Sequence, residues 1–416
     1  MMITKLISHC RTVDTALSMR WVTAIILAAL VLSACGQPDT SGSLSSANNA
    51  SQGASAQQPA VPPDVQFGSS VRAMQLISAT NGWVLTDKHF LLTADAGQHW
   101  QDSKLPKNVS TSVIEGVFFL DTLQGWLVTS QRQTNNINQV SLTISHTIDG
   151  GQTWTDNPLA PSNTEYDFSS DNLSISFVDS QHGWVMVPLM SSSNLSRSVL
   201  FQTADSGVSW NKLSAPIGAP IRFTTPSDGW IAGGVAGDKF YTTHDGGQTW
   251  EPQSVPLPTA DNVDQLTYDL PTFQNNQDGV LPVTFAGSKH SGIGFYMTHD
   301  GGYSWSLATT VANSTELDPG VKLPAKVIDS NQWVVTLPKD KLHMTKDGGK
   351  RWKTTQSNLP IGIIELDFVT SSIGWARTTV GTCAQFKAQC TNQTAVLITT
   401  DGGETWTPLL SLNAPA

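Results

Sequence analysis

The sequence predicts an all-β protein, a seven-bladed β-propeller of four-stranded antiparallel blades that follows a signal peptide and a disordered linker. Two observations predict the propeller. An octapeptide of the form Thr-x-Asp-x-Gly-x-x-Trp occurs seven times after residue 67, and an apolar segment with a characteristic spacing precedes each copy. A third observation, an apolar segment near the N-terminus that ends in a cysteine, predicts export.

The octapeptide has the chemistry of a tight hairpin. An Asp side chain can accept hydrogen bonds from backbone N–H groups about two residues further on, and the glycine two positions later supplies the positive φ that the turn needs. The closing Trp would fold its ring over the turn. The seven aspartates, spaced 40 to 56 residues apart as propeller blades are, are Asp95, Asp149, Asp205, Asp245, Asp300, Asp347 and Asp401. We interpret them as structural rather than calcium-binding, because one carboxylate per turn falls far short of the roughly six to eight oxygens that calcium takes.

A second motif precedes each octapeptide. In six units an apolar residue stands seven positions before a Trp or Val, and a Gly comes directly before that second residue. The pairs are Leu76 and Trp83, Phe119 and Trp126, Phe177 and Trp184, Phe223 and Trp230, Phe273 and Val280, and Phe368 and Trp375. In the remaining unit Val327 and Trp333 are one residue closer. Each unit therefore predicts strand A at the first apolar residue, strand B from the Gly, strand C into the octapeptide and strand D from its Trp.

Loop lengths predict two different faces. The A-to-B and C-to-D turns are nearly constant in length, whereas the distance from the Gly-Trp position to the octapeptide Asp ranges from 12 residues (Trp83 to Asp95) to 26 (Trp375 to Asp401). The B-to-C and D-to-A loops share one face of an up-and-down propeller. We expect the partner, a protein or a polar or glycan ligand, to bind on this variable face. The long loops there are 131–139, 163–171, 191–197, 261–269 and 287–294.

The combined motifs resemble a known family. The octapeptides resemble the Asp box, or bacterial neuraminidase repeat, and together with the Phe-x-x-x-x-x-Gly-Trp segment they resemble the photosystem II stability and assembly factor-like propellers. The resemblance covers residues 73 to about 412 and implies an Asp-box propeller. Asp-box propellers also occur in sialidases, xyloglucan-cleaving enzymes and sortilin-type receptors, so the fold does not fix the function. The assembly factors use a basic patch to bind a pigment-protein complex, and this acidic chain shows no equivalent patch.

The N-terminal segment is typical of an exported lipoprotein. After Arg20 comes an apolar run that is short for a membrane span and ends in Leu32-Ser33-Ala34-Cys35. This tetrapeptide resembles the lipobox, which implies that residues 1–34 are a cleaved signal peptide and that Cys35 carries the lipid. An ordinary cleaved signal, or an anchor with an incidental cysteine, is the alternative. We expect the chain to be anchored to a bacterial membrane on its extracytoplasmic side, since two acyl chains bind a bilayer stably.

Composition divides the rest of the chain. Residues 35–66 are rich in Ser, Ala, Gln and Pro and cannot bury a core, so they predict a flexible linker before the propeller of residues 67–416. The formal charge is -10, and removal of residues 1–34, whose net charge is +2, leaves -12. This charge argues against nucleic acid as a partner.

Two further cysteines lie in the longest B-to-C loop. Cys383 and Cys390 flank six residues in a compartment that permits disulfides, and we predict that they pair. Two free thiols or a metal site are the alternatives, and co-ligands for a metal are missing from the surrounding sequence.

No catalytic constellation stands out. A sialidase-type site needs three arginines around a carboxylate. Arg72, Arg222 and Arg377 lie near the starts of blades, although Arg222 and Arg377 read equally well as surface or strand-end residues. A glycosidase with paired carboxylates could use one of two acidic clusters in the D-to-A loops, Glu165, Asp167 and Asp171 or Asp261, Asp264 and Asp269. We predict no metal and no cofactor, and a binding or assembly scaffold without catalytic activity; a glycoside hydrolase on the same propeller is the alternative.

Overall fold

Seven antiparallel sheets make up the described part of the chain, which confirms the predicted all-β, seven-bladed propeller. The computed structural model describes residues 70–107, 109–132, 140–159, 173–189, 197–234, 236–258, 263–288, 290–313, 317–318, 320–337, 341–356, 362–380 and 393–410. The predicted signal peptide, the predicted linker with Cys35, and the segment with Cys383 and Cys390 lie outside these residues, so their roles stay predictions.

The strands are numbered in chain order. Blade one contains β1 (Val71–Leu76), β2 (Gly82–Thr86), β3 (Phe90–Thr93) and β4 (Gln101–Asp102). Blade two, after a short 3-10 helix (Thr111–Val113), contains β5 (Ile114–Phe119), β6 (Gly125–Arg132), β7 (Val140–Thr147) and β8 (Thr155–Pro158). Blade three contains β9 (Ser174–Phe177), β10 (Gly183–Leu189), β11 (Arg197–Thr203) and β12 (Asn211–Leu213).

The later blades follow the same order. Blade four contains β13 (Ile221–Phe223), β14 (Gly229–Gly233), β15 (Lys239–Thr243) and β16 (Glu251–Pro252). Blade five contains β17 (Gln265–Tyr268), β18 (Thr272–Phe273), β19 (Gly279–Ala286), β20 (Ser291–Thr298) and β21 (Ser306–Asn313). Blade six contains β22 (Ala325–Val327), β23 (Trp333–Leu337), β24 (Lys341–Thr345) and β25 (Lys353–Gln356). Blade seven contains β26 (Ile363–Phe368), β27 (Gly374–Val380), β28 (Gln393–Thr399) and β29 (Thr407–Leu410).

Every blade is built from consecutive strands that pair in the order A to D. Blade five alone among the seven described sheets has its strand A in two pieces, β17 and β18, which both pair with β19. The ring closes where β1 packs against β26, β27 and β28. At this seam the Thr394 hydroxyl donates to the carbonyl of Val71 at 2.6 Å, and the rings of Trp100 and Trp375 pack 5.8 Å apart. Packing between the first and last blades thus closes the propeller, and no described strand of one blade pairs into the sheet of the other.

Connections at one end of the propeller are uniform. Every A-to-B turn has five residues, as at 77–81, and every C-to-D hairpin has seven, as at 94–100. We call this end the Asp-box face. Its uniformity follows from a motif that fixes the geometry of each turn.

The opposite end, the variable-loop face, is irregular. Its B-to-C connections range from three residues (87–89) to twelve (381–392), and its D-to-A connections from six (357–362) to fifteen (159–173). The loops predicted at 261–269 and 287–294 are shorter than expected, because β17 begins at Gln265 and β20 begins at Ser291.

The octapeptide of blade seven illustrates the turn geometry. The Thr399 hydroxyl donates to Asp401 at 2.8 Å and accepts from the Gly403 N–H at 2.8 Å. Asp401 then accepts from the Thr405 N–H at 2.9 Å and from its hydroxyl at 2.5 Å. The backbone donor lies four residues after the Asp rather than about two, because Gly402 and Gly403, with φ of 78° and 88°, reverse the chain before the donor is reached.

The second motif joins neighbouring blades. In blade three the ring of Phe177 lies against Gly183, where an added Cβ would meet the ring at 2.3 Å. The indole of Trp126, from blade two, stacks on Phe177 with centroids 3.6 Å apart, and Trp210 meets the same ring edge-on at 6.2 Å. Trp126 also donates to the carbonyl of Ser206, in the octapeptide of blade three, at 3.0 Å. The Gly is required because the Phe ring occupies the space of its side chain, and the Trp belongs to the interface with the next blade.

Blade six departs from this pattern in register. In the sheet Trp333 lies opposite Val327 on one side and Thr345 on the other. In the other blades a Gly occupies this position. Its ring stacks on Phe295 of blade five, with centroids 4.9 Å apart. The residue missing from this unit is therefore the Gly, and Trp333 takes its position in the sheet.

Candidate functional site

The A strands surround a central channel that contains a cavity of about 660 Å³. In each blade, the residue directly before the apolar motif residue of strand A lines this cavity. We call these residues the inner ring: Gln75, Phe118, Ser176, Arg222, Thr272, Lys326 and Asp367. Equivalent positions on seven strands thus carry different side chains around one axis.

Inner-ring side chains connect each blade to the next. Gln75 accepts from the N–H of Phe119 and donates to its carbonyl, both at 3.2 Å. Ser176 accepts from the N–H of Phe223 at 2.9 Å. These bonds satisfy backbone groups of strands that have no neighbouring strand on the channel side.

The charged members extend the same pattern. Lys326 lies 2.7 Å from the Asp367 carboxylate, and Asp367 accepts from the N–H of Leu76 at 2.6 Å. Lys322, in the D-to-A connection from blade five to blade six, pairs with Asp269 at 3.0 Å. Because Lys322 comes from that connection, the cavity reaches the variable-loop face.

Arg222 is held by the broken strand of blade five. Its Nη1 donates to the carbonyl of Pro271 at 3.0 Å and to the Thr272 hydroxyl at 2.9 Å. Pro271 lies in the break between β17 and β18, and Thr272 is the inner-ring residue of β18. Burial lowers the pKa of the Arg222 guanidinium, while the nearby charges of Asp269 and Asp367 oppose this shift. A guanidinium remains protonated at neutral pH, so Arg222 places a positive charge in the channel.

Glu365 is the third channel carboxylate. It pairs with Arg377 at 3.0 Å, and burial raises the pKa of Glu365 against the opposing effect of that arginine. Each of the three carboxylates that line the described channel, Asp269, Glu365 and Asp367, is therefore paired with a cation of its own.

The three arginines considered for a sialidase-type site do not act together. Arg72 donates to the carbonyls of Thr111 and Ile114 at 2.7 and 2.8 Å, which joins blade one to blade two. Arg377 pairs with Glu365 and, like Arg72, is absent from the described channel lining. The interpretation of Arg222 as a surface or strand-end residue is wrong, since it lines the channel.

Only two residues of the acidic clusters considered for glycoside hydrolysis, Asp264 and Asp269, are among the described residues. Asp269 lines the channel, whereas Asp264 accepts from the N–H of Ser288 at 3.2 Å beside strand β19. Asp261 and the cluster of Glu165, Asp167 and Asp171 lie outside the described residues. Within the described residues, no group of three His, Cys, Asp or Glu side chains is placed to hold a metal ion. No helix in the described part of the chain is long and apolar enough to cross a membrane.

Sequence reasoning overlooked the inner ring. Its signal was present, because the residue before the motif position is polar in six of the seven units. Side chains alternate along strand A, and this alternation turns the residue before the motif position towards the channel.

Fold and repeats together define the chain as a seven-bladed β-propeller with Asp-box repeats. The BNR/Asp-box repeat family matches residues 241–252 and 397–408. No curated protein matches the chain.

Solved structures are similar to the chain at low sequence identity. The chain is similar to YCF48 bound to D1 peptide, with a TM-score of 0.49 and 17% identity over 74% of this chain and 90% of that chain. YCF48 from Cyanidioschyzon merolae gives a TM-score of 0.48 and 18% identity over 75% and 89% of the two chains. The GH74 xyloglucanase from Xanthomonas campestris gives a TM-score of 0.53 and 11% identity, and the match covers 83% of this chain and 55% of that one.

Proposed function

We propose that this protein is a binding or assembly scaffold without catalytic activity, held on the extracytoplasmic side of a bacterial membrane by a lipid on Cys35. It takes a protein or a polar ligand, such as a glycan, at the variable-loop face. The observation that carries the proposal is the difference between the two faces. Turns of five and seven residues repeat on the Asp-box face, whereas the opposite face combines connections of three to twelve and six to fifteen residues with the channel mouth.

A binding site needs positions that differ from blade to blade. The variable connections and the inner ring provide such positions, while the octapeptides repeat one hydrogen-bond pattern and are committed to their turns. The ion-paired channel carboxylates also favour binding over hydrolysis, because a general acid and a nucleophile must be able to reach the substrate.

Trimming one connection tests the site of binding. Replacing 133–139 of blade two by a three-residue turn, the length found in blade one at 87–89, should leave the melting temperature nearly unchanged and weaken capture of the partner identified by pull-down from native membranes. As matched controls, Leu123→Ser and Tyr303→Ser change exposed side chains of the Asp-box face, which are 56% and 68% exposed. Capture that survives loss of the long loops and fails in these controls would overturn the proposal.

Membrane attachment has its own test. Cys35→Ala should abolish labelling by a fatty-acid probe and release the protein from the membrane fraction. Normal membrane retention of this variant would contradict the lipid anchor.

Glycoside hydrolysis is the second candidate, and Glu365 favours it. A carboxyl group whose pKa is raised by burial, in a cavity with other carboxylates, has the property of a general acid. Turnover of sialosides, xyloglucan or bacterial polysaccharides that Glu365→Gln abolishes would establish this activity and overturn the non-catalytic proposal.

A further inference from the structure

We propose that the central channel contains a carboxylate-binding site built on Arg222, and that its ligand is an organic monocarboxylate with an apolar body. This inference rests on the proposed function, since it names a ligand chemistry for the channel of the same binding module.

The first argument is the orientation of the Arg222 hydrogen bonds. Both contacts of the guanidinium, to Pro271 and Thr272, use Nη1. Within the described residues, the Nε and Nη2 atoms of Arg222 have no hydrogen-bond partner. Neither atom is fully buried, so both are accessible from the cavity that Arg222 lines. Nε–H and one Nη2–H point in parallel along one edge of a guanidinium, and this edge pairs with both oxygens of a carboxylate.

The second argument is the charge balance of the cavity. Among the described lining residues, Lys322 and Lys326 are paired with Asp269 and Asp367. Arg222 forms no ion pair with a described carboxylate. Among the cations that line the described cavity, its charge is therefore the one without a paired carboxylate. A monoanion would balance that charge, whereas the channel carboxylates would repel a dianion such as sulfate.

The third argument is the composition of the wall. Apolar residues also line the cavity: Val117, Ile175 and Leu366 on the A strands, and Leu270 and Pro324 in the segments beside β18 and β22. They offer a surface for the hydrocarbon part of a ligand, while Arg222 fixes its carboxylate. A cavity of about 660 Å³ is of the size that small-molecule sites have.

Calorimetric titration of the purified full chain with benzoate tests the site, with benzamide as the neutral analogue. Benzoate should bind and benzamide should not. Arg222→Gln should weaken benzoate binding by about tenfold or more. Arg72→Gln is the matched control, because its guanidinium donates only to the backbone carbonyls of Thr111 and Ile114 and lies outside the described channel lining. That variant should bind benzoate within about twofold of the parent.

A second variant and a second readout guard against misfolding. Arg222→Lys keeps the charge and a donor for Pro271 but lacks the two-atom edge, so it should fold by circular dichroism and still bind benzoate more weakly. In the parent chain, an arginine Nε–H signal should shift in the NMR spectrum on addition of benzoate and not of benzamide. Unchanged binding in both Arg222 variants, binding of sulfate as tight as that of benzoate, or no benzoate binding at all would overturn the inference.

Peptides distinguish the source of the carboxylate. Binding by peptides with a free C-terminus and not by their amidated forms would assign the site to the end of a protein chain, whereas binding of benzoate alone would assign it to a free acid. Both results support a carboxylate site. Failure of benzoate binding with loop-dependent partner capture overturns this inference alone. Benzoate binding in a chain whose partner capture survives loss of the long loops and fails in the Asp-box-face controls overturns the proposed function alone.

Discussion

Asp367 accepts a hydrogen bond from the backbone N–H of Leu76 at 2.6 Å, across the seam between the last blade and the first. Its other oxygen lies 2.7 Å from Lys326 Nζ of blade six. One carboxylate therefore ties three blades together, and with only 8% of the residue exposed, its bonds are protected from competing water.

Asp367→Asn should destabilise the propeller by about 2 kcal/mol, because Lys326 loses its partner in a mostly buried position. The free energy of unfolding in urea measures this. Asp238→Asn is the control, since Asp238 pairs with Lys239 at the surface, where both side chains are well exposed, and should cost less than about 0.5 kcal/mol. Equal effects of the two substitutions would show that the seam contact contributes no more to stability than a surface ion pair.

Gly183→Ala should destabilise the protein by about 2–3 kcal/mol, because its new Cβ would lie 2.3 Å from the ring of Phe177. Combining it with Phe177→Leu should cost less than the sum of the two single changes, since the smaller side chain relieves the overlap. Thermal or chemical unfolding of the three variants measures the coupling, and strict additivity would contradict the steric explanation.

Ala96→Gly and Ser206→Gly should each stabilise the fold by about 0.5–1 kcal/mol, because these two octapeptide residues adopt φ of 61° and 66°, a region that Gly occupies more readily. Gly348→Ala is the converse. At its φ of 68° the added Cβ would meet its nearest neighbours only at 3.7 Å, so its expected loss of about 1 kcal/mol reports the backbone alone. A neutral effect at all three positions would mean that the left-handed turn is not strained.

Acid should weaken the propeller in a defined pH window. The hydroxyl and N–H of Thr153 lower the pKa of Asp149 to about 2, and those of Thr405 lower the pKa of Asp401 to about 2. Because these carboxyls have a pKa near 3.9 when unfolded, the stability they confer is complete above about pH 4 and is lost as the pH falls towards 2.

Urea unfolding at pH 7, 4 and 2.5 measures this dependence. The double variant Asp149→Asn/Asp401→Asn should be less stable at pH 7 and should lose less stability between pH 4 and 2.5 than the parent. The same pH slope in both proteins would remove these aspartates from the explanation and would weaken their assignment as structural residues.

Cys383 and Cys390 should form a disulfide. Intact-mass measurement after alkylation without reduction should find no alkyl group on either cysteine, and after reduction it should find both modified. Closing so short a loop should stabilise the fold by only about 2 kcal/mol, since the entropy removed from the unfolded chain grows with loop length. Two alkyl groups on the unreduced protein would refute the pairing.

The sequence by itself determined the number of blades, the order of the strands and the division into two faces. These features follow from local chemistry: the Thr, Asp and Gly of each octapeptide close a hairpin within eight residues, and repetition of such a unit requires a ring or an array. Spacing alone could also mark Trp126 and Phe177 as motif residues, though it could not show that they belong to different blades and stack on one another.

Only the tertiary structure decided what the motif residues and their neighbours contact. Arg222 and Pro271, 49 residues apart, meet because strand A of each blade faces the same axis. Leu76 and Asp367 meet because the ring closes. Such contacts depend on the angle between successive blades, which no local pattern encodes. The polar residue before the motif position could mark the inner ring from the sequence, but the partners of its side chains became known only once the propeller was closed.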